Sequence, residues 1–296
     1  MKITPRLNYD LVAVESEDSV HLMLELDAPV AEAERERPNA NLQVVLDRSG
    51  SMAGERLVAA LRATDSLLAR LRPEDRFGLV AFDDEVIVPV AAGPLGDGAA
   101  ARAALHRIYA GGMTNLGGGL LRGIQESQRI SSAEQATLVL LSDGMANQGM
   151  TDHGQLETVA HGAHGSGIST STIGIGHGYD EDLLAAIARG GSGNTHFATD
   201  GDGAGAALAS EVDGLLEQTV QAASLTVRPG PKVPAVRLYN DLPTAAIDGG
   251  FMVELGSLGS AQQRRLVLEI DVPAMAALGL ATVCELELRW VDVASM

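Results

Sequence analysis

The chain has 296 residues, enough for one large domain or two ordinary ones, and 46% of them are apolar. Aromatics make up only 3%, so the core must be mostly Leu, Val, Ile and Ala. A formal net charge of -18 argues against nucleic acid or an anionic membrane as a partner, because phosphate groups reward basic surfaces.

The amino terminus, Met1-Lys2-Ile3-Thr4-Pro5, lacks the apolar segment of a signal peptide, and no window approaches about 18 uninterrupted apolar residues. The expectation is a chain that is cytoplasmic as given and makes no membrane contact. It stops just after a strand-like run, at Val291-Asp292-Val293-Ala294-Ser295-Met296, and is therefore expected to be a fragment of something longer. Arginine greatly outnumbers lysine, and Ala and Gly are abundant, a composition found in GC-rich bacterial genomes.

Residues 6–14 and 19–27 alternate, with Val20, Leu22, Leu24 and Leu26 on one face and His21, Met23 and Glu25 on the other, and read as half-buried antiparallel strands. Residues 29–40 form a charged, proline-bearing linker. From residue 41 the texture changes to apolar strands alternating with amphipathic helices. Strands are predicted at Leu42–Asp47, Phe77–Phe82, Val86–Val90 (on an edge, because of Pro89), Thr137–Leu141, Thr170–Ile175 and His196–Ala198. Helices are predicted at Glu55–Leu71, Ala99–Tyr109, Leu116–Ile130, Gln155–Ser166, Glu181–Ala188 and Gly205–Gln221. Unbroken Val, Leu and Ile runs mean strands covered on both faces, hence a mostly parallel, doubly wound α/β sheet with right-handed crossovers.

From about residue 222 the texture turns back to short β-like runs between Pro and Gly turns: Leu225–Arg228, Ala235–Leu238, Phe251–Leu255, Arg265–Ile270 and Ala281–Trp290. In the last of these Cys284, Leu286, Leu288 and Trp290 share one face. Cys284, the single cysteine, reads there as an inert half-buried thiol. The economical arrangement is one β-sandwich built from both chain ends, 1–40 and 222–296, with an α/β domain at 41–221 inserted into it.

Chemistry concentrates at strand ends. Val44-Val45-Leu46-Asp47-Arg48-Ser49-Gly50-Ser51-Met52 is a buried run ending in an acid, followed by two hydroxyls at two-residue steps and then by a helix. Such a strand–turn–helix places its side chains in the crevice at the carboxyl end of the sheet. Asp and Ser offer only hard oxygen ligands, which suit Mg²⁺, Mn²⁺ or Ca²⁺ and not zinc or copper. Two other loops carry similar groups: Gly111-Gly112-Met113-Thr114-Asn115, with a hydroxyl at a helix start, and Leu141-Ser142-Asp143-Gly144, ending a strand in an acid.

The pattern Asp-x-Ser-x-Ser, then Thr in a Gly-rich loop, then Ser-Asp-Gly, resembles the metal-ion-dependent adhesion site of von Willebrand factor type A domains. All five positions match: Asp47, Ser49, Ser51, Thr114 and Asp143. The resemblance covers about residues 41–221, and the flanking strands extend it to bacterial members of the family with an appended sandwich. It implies that the hydroxyls of Ser49, Ser51 and Thr114 ligate a divalent cation, Mg²⁺ ahead of Mn²⁺ or Ca²⁺, with Asp47 and Asp143 acting nearby, largely through waters. An open position would take the Asp or Glu carboxylate of a protein ligand. The function implied is a metal-dependent, non-enzymatic protein-binding module of the adhesion or scaffold type. The resemblance further implies that ligand at the metal shifts the last helix and reorients the sandwich, which needs two states that bind ligand differently.

The alternative is a Mg²⁺-dependent hydrolase acting on phosphate esters. Against it, the loops supply no evident general acid, lysine or second set of metal ligands, and Arg48 is the only nearby cation. Elsewhere the ordinary readings prevail. Asp83 and Asp84 read as a solvated turn, with support of the site as the other option, and Asn147 reads as a turn residue. Gly174-x-Gly176-x-Gly178 lacks the third glycine of a dinucleotide fingerprint. Asp200-Gly-Asp202 with Glu211 reads as a helix cap rather than a calcium loop. His153, His161 and His164 read as solvated rather than zinc-binding.

Overall fold

The computed structural model describes residues 1–9, 17–30, 39–130, 135–143, 145–176, 179–198, 201–216, 218–274 and 282–293. In chain order the elements are β1 (Lys2–Leu7), β2 (Asp18–Asp27), β3 (Asn41–Asp47), α1 (Glu55–Leu68), β4 (Arg76–Phe82), β5 (Val86–Pro94), α2 (Ala99–Leu105), α3 (Leu116–Gln128), β6 (Ala136–Ser142), α4 (His153–His164), β7 (Ile168–Ile175), α5 (Glu181–Gly190), β8 (Ser192–Ala198), α6 (Gly201–Leu216), β9 (Gln218–Pro229), β10 (Val236–Leu238), β11 (Thr244–Ile247), β12 (Gly250–Gly259), β13 (Gln263–Val272) and β14 (Cys284–Asp292). They divide into two compact units, Arg37–Leu216 and Met1–Glu36 with Glu217–Met296.

The α/β unit is a six-stranded sheet in the order β5-β4-β3-β6-β7-β8. Only β5 runs antiparallel, on the edge. All seven residues of β3 and of β6 are buried. Their side chains alternate between two apolar layers, as a pleated strand requires. Leu42, Val44 and Leu46 pack with α1, α2 and α6 through Leu57, Leu67, Leu105, Leu208 and Val212. Val45, with Leu138 and Leu140, packs with α3, α4 and α5 through Leu120, Ile124, Leu156 and Leu184. Helices on both faces explain why these strands carry unbroken apolar runs.

The other unit consists of two four-stranded antiparallel sheets, β1-β2-β13-β10 and β11-β12-β9-β14. The two chain ends meet in the first of them: β2 pairs with β13 over ten residues, with Leu24 opposite Leu266. Inward residues of the two sheets, including Leu22, Leu24, Leu268 and Ile270 with Leu225, Val227 and Val253, form one core. The fold is thus an α/β domain whose flanking segments build a β-sandwich.

Several expectations are corrected. The first strand is Lys2–Leu7, ahead of the expected 6–14, and residues 10–16 of that run lie outside the described residues. Most of the 29–40 linker, 31–38, also lies outside them. The last helix ends at Leu216, not Gln221; Gln218–Gln221 belong to β9, where Val220 is buried and opposes Leu258 and Asp292. Sheet pairing on both sides of β9 overrides the helical pattern there. Trp290 leaves the apolar face of β14 and is 38% exposed, because the register slips between Arg289 and Val291 and a one-residue slip reverses a strand's faces. The strand β11 carried no periodic signal strong enough to be read.

Candidate metal centre

In the α/β sheet the chain proceeds from β3 outward to β4 on one side and from β6 outward to β7 on the other. The carboxyl ends of β3 and β6 therefore border the crevice that opens where strand order reverses. Asp47 is the last residue of β3, and Asp143 follows the last residue of β6.

Asp47 is fully buried and both its oxygens are engaged. Oδ1 accepts the Ser49 backbone N–H at 2.8 Å, and Oδ2 accepts the Ser142 hydroxyl at 2.5 Å. Burial pushes its carboxyl up to about 6, against the pull of the Ser142 and Ser49 hydrogen bonds and with a further push from Asp143. Ser49 is buried and Ser51 exposed, and their hydroxyl oxygens lie 3.1 Å apart. Two cis ligands of an octahedral Mg²⁺ stand about 2.9–3.0 Å apart, given metal–oxygen distances of about 2.0–2.1 Å.

The glycine-rich loop is tied to this turn. Gly111 N–H donates to the Arg48 carbonyl at 2.9 Å, and Gly50 N–H donates to the Gly112 carbonyl at 3.1 Å. Gly112 has φ +67°, a left-handed conformation that suits glycine. Asn115 caps α3, its side chain accepting from Gly118 N–H at 3.0 Å. Thr114, only 2% exposed, is fastened by its backbone: its N–H donates to Asn147 Oδ1 at 2.9 Å, and its carbonyl accepts from Asn147 and Gln148 N–H, each at 3.2 Å.

Asp143 is 2% exposed. Its Oδ2 accepts from Arg56 Nη1 at 3.1 Å, while its Oδ1 is buried with no hydrogen-bond partner among the described residues. Such an oxygen marks a place where a cation or a water is owed. The structure therefore brings all five sequence-predicted residues onto three mutually hydrogen-bonded loops at the carboxyl end of the central strands. Only two of the five are carboxylates, and among the described residues no group of three or more His, Cys, Asp and Glu side chains is placed to hold a metal ion.

Residues 41–210 match the sequence profile of the von Willebrand factor type A domain. The chain belongs to the von Willebrand factor type A family. Over 158 residues it is 34% identical to an uncharacterized protein of Synechocystis sp., a match covering 53% of this chain and 37% of that protein. It is 33% identical over 165 residues to inter-alpha-trypsin inhibitor heavy chain H1 of Mesocricetus auratus, covering 52% of this chain and 18% of that one. The chain thus spans well under half the length of these curated relatives. Among solved structures, a von Willebrand factor type A protein from Catenulispora acidiphila superposes with a TM-score of 0.74 at 18% identity, covering 98% of this chain and 70% of that one. The ArnB paralog VWA2 from Sulfolobus acidocaldarius does so with a TM-score of 0.58 at 14% identity, covering 98% and 75%.

Within the VWA unit, several readings from sequence change. Asp83 is not a solvated turn residue: it is 6% exposed, receives Arg48 Nη2 at 3.0 Å on both carboxylate oxygens, and offers its carbonyl to Asn115 N–H at 2.9 Å. Asp84 beside it is exposed. Arg48 is not the only nearby cation, because Arg56 reaches Asp143 from the first turn of α1. Asn147 is not a simple turn residue but the tether of Thr114. Sequence reasoning missed Arg56, Ser142 and Asn147 as parts of the site; the only signal for Arg56 was a cation five residues beyond Ser51.

The remaining candidates stay apart from these loops. Glu211 of the supposed calcium loop is occupied by Ser171, Asn194 and His196, and Asp200 lies outside the described residues. Gly178 of the glycine pattern also lies outside them. His153 pairs with Asp180 at 3.2 Å. Cys284 is half-buried and burial pushes its thiol up, which disfavours the reactive thiolate. No helix among the described residues is long and apolar enough to cross a membrane.

Proposed function

We propose that the VWA unit is a metal-dependent protein-binding module with no catalytic role. Ser49, Ser51 and Thr114 would hold a divalent cation by their hydroxyls, with Asp47 and Asp143 behind them acting largely through waters. One observation carries the reading: three hydrogen-bonded loops bring together an oxygen-only donor set, and one of its buried carboxylate oxygens, Asp143 Oδ1, has no hydrogen-bond partner among the described residues. Hard, neutral hydroxyls fit Mg²⁺ best, since it keeps near-octahedral geometry and retains water, and Mn²⁺ or Ca²⁺ would compete.

When bound, the cation would supply an electrophilic open position for an Asp or Glu side chain of a protein partner. The chain's own residues do the rest. Asp47, held by Ser142 and Ser49 N–H, fixes the turn that presents both serines. Asn147 fixes Thr114. The hydrolase reading has little to draw on, because the two nearby cations are both engaged, Arg48 with Asp83 and Arg56 with Asp143.

Calorimetric titration with Mg²⁺, Mn²⁺ and Ca²⁺ tests the proposal. Single-site binding that is absent in Asp47→Ala supports it; equal binding by that variant refutes it. Incubation with phosphate esters and Mg²⁺ should yield no turnover.

A further inference from the structure

We infer that Arg56 is a built-in competitor of the metal: its guanidinium neutralises Asp143 in the metal-free protein and gives way when a divalent cation enters, so that this one side chain sets the metal affinity of the site. The inference rests on the metal-binding reading above.

The argument begins with Asp143. Burying a carboxylate that is 3% exposed is costly unless a positive charge or several donors face it. One of its oxygens is on Arg56, and the other has no hydrogen-bond partner among the described residues. Arg56 is thus placed where the counter-charge of the site is required, and it belongs to a different element from every expected ligand. Its Nη1 also reaches the Ser51 carbonyl at 3.3 Å, so the guanidinium spans the two loops whose oxygens face the centre.

Arg56 lies in the first turn of α1, where the helix dipole disfavours a cation. Its guanidinium lies against the backbone at Gly176, where φ is +88° and a Cβ would come within 2.5 Å of Nε. A side chain at 176 would push it off. At 36% exposure the head has a path to solvent on a long flexible stem, whereas Asp143 has none. A guanidinium and a divalent cation on one buried carboxylate repel each other, and relief comes from the mobile partner moving outward.

The test is calorimetric titration of the full chain with Mg²⁺ and with Mn²⁺, for the wild type, Arg56→Gln, Arg56→Met and Arg56→Lys. Removing a unit charge about 6 Å from a divalent ion is worth about tenfold in affinity even with water-like screening. The neutral variants should therefore bind both metals about tenfold tighter, and Arg56→Lys should stay within about threefold of the wild type. Thermal melts confirm that each variant is folded, and either neutral variant suffices. Unchanged or weaker binding by a folded neutral variant overturns the inference and makes Arg56 a mere orienter of Asp143, while the metal-binding reading stands. No binding by any of the four proteins overturns both.

Discussion

Ser142 donates its hydroxyl to Asp47 Oδ2 at 2.5 Å across the two central parallel strands of the sheet. The pair joins the ends of β3 and β6, and with the Ser49 N–H on Oδ1 it gives each oxygen of Asp47 a donor. A carboxylate held in this way orients a turn rather than reaching for a cation directly.

Ser142→Ala should therefore damage the site without touching any expected ligand. It leaves Asp47 Oδ2 buried and without this donor, which costs about 1–3 kcal/mol of stability. Loss of such an outer partner lowers metal affinity by about 10- to 100-fold. Denaturant melts and metal titration of the variant check both numbers, and wild-type affinity would show that the Asp47 orientation does not matter.

Thr114→Val separates the hydroxyl from the fold. The backbone of Thr114 ties the loops together, through Asn147 Oδ1 and the two N–H groups on its carbonyl. Valine keeps that backbone and the side-chain volume. Stability should fall by no more than about 0.5–1.5 kcal/mol, the worth of one hydroxyl hydrogen bond, while metal titration should show no binding. A variant that loses its fold would mean that the hydroxyl is structural.

Gly112→Ala should act through the backbone. At φ +67° a side chain is strained, and its Cβ would lie 1.7 Å from Asp84 Oδ1 and 3.1 Å from Asp83 Cβ. Asp84 is exposed and can swing aside, so the cost is mainly the left-handed conformation, about 1–2 kcal/mol. Because the Gly112 carbonyl receives Gly50 N–H, the Ser49–Ser51 turn moves with it and metal affinity falls. Titration showing full affinity together with lowered stability would separate the two effects.

Glu211 of α6 gives a pH prediction away from the loops. Burial pushes its carboxyl up, but hydrogen bonds from His196, Ser171 and Asn194 outweigh burial and hold it below the usual carboxylate range. A carboxyl lowered in the folded state binds its proton less readily there than in the unfolded chain. Its stabilisation is present above the unfolded value of about 4.3–4.5 and is lost as pH falls through the lower folded value. Glu211→Gln should be less stable than the wild type by about 1–3 kcal/mol at pH 7, and the gap should narrow as pH falls below the ordinary carboxylate range and through the lower folded value. A gap that stays constant until the protein unfolds in acid would show that the charge of Glu211 is not what matters.

The amino-acid sequence by itself determined the fold class and put the candidate oxygen donors at strand ends, because both are written locally. A short apolar run such as Val44–Leu46, ending in an acid and followed by a helical pattern, reads as a strand covered on two faces, and the acid and hydroxyls at its end then lie at the crevice. The alternation of β2 and β13 likewise announced half-buried antiparallel strands. Tertiary structure alone decided what depends on contacts between distant segments. The reach of Arg56 to Asp143 depends on how α1 rotates against the sheet and on the gap at Gly176. The roles of Ser142, Asn147 and Asp83 depend on which loop lies opposite each of them. The end of α6 at Leu216 depends on β12 and β14 capturing Gln218–Gln221. Periodicity reports the environment of a residue along its own element, and none of these relationships lies along one element.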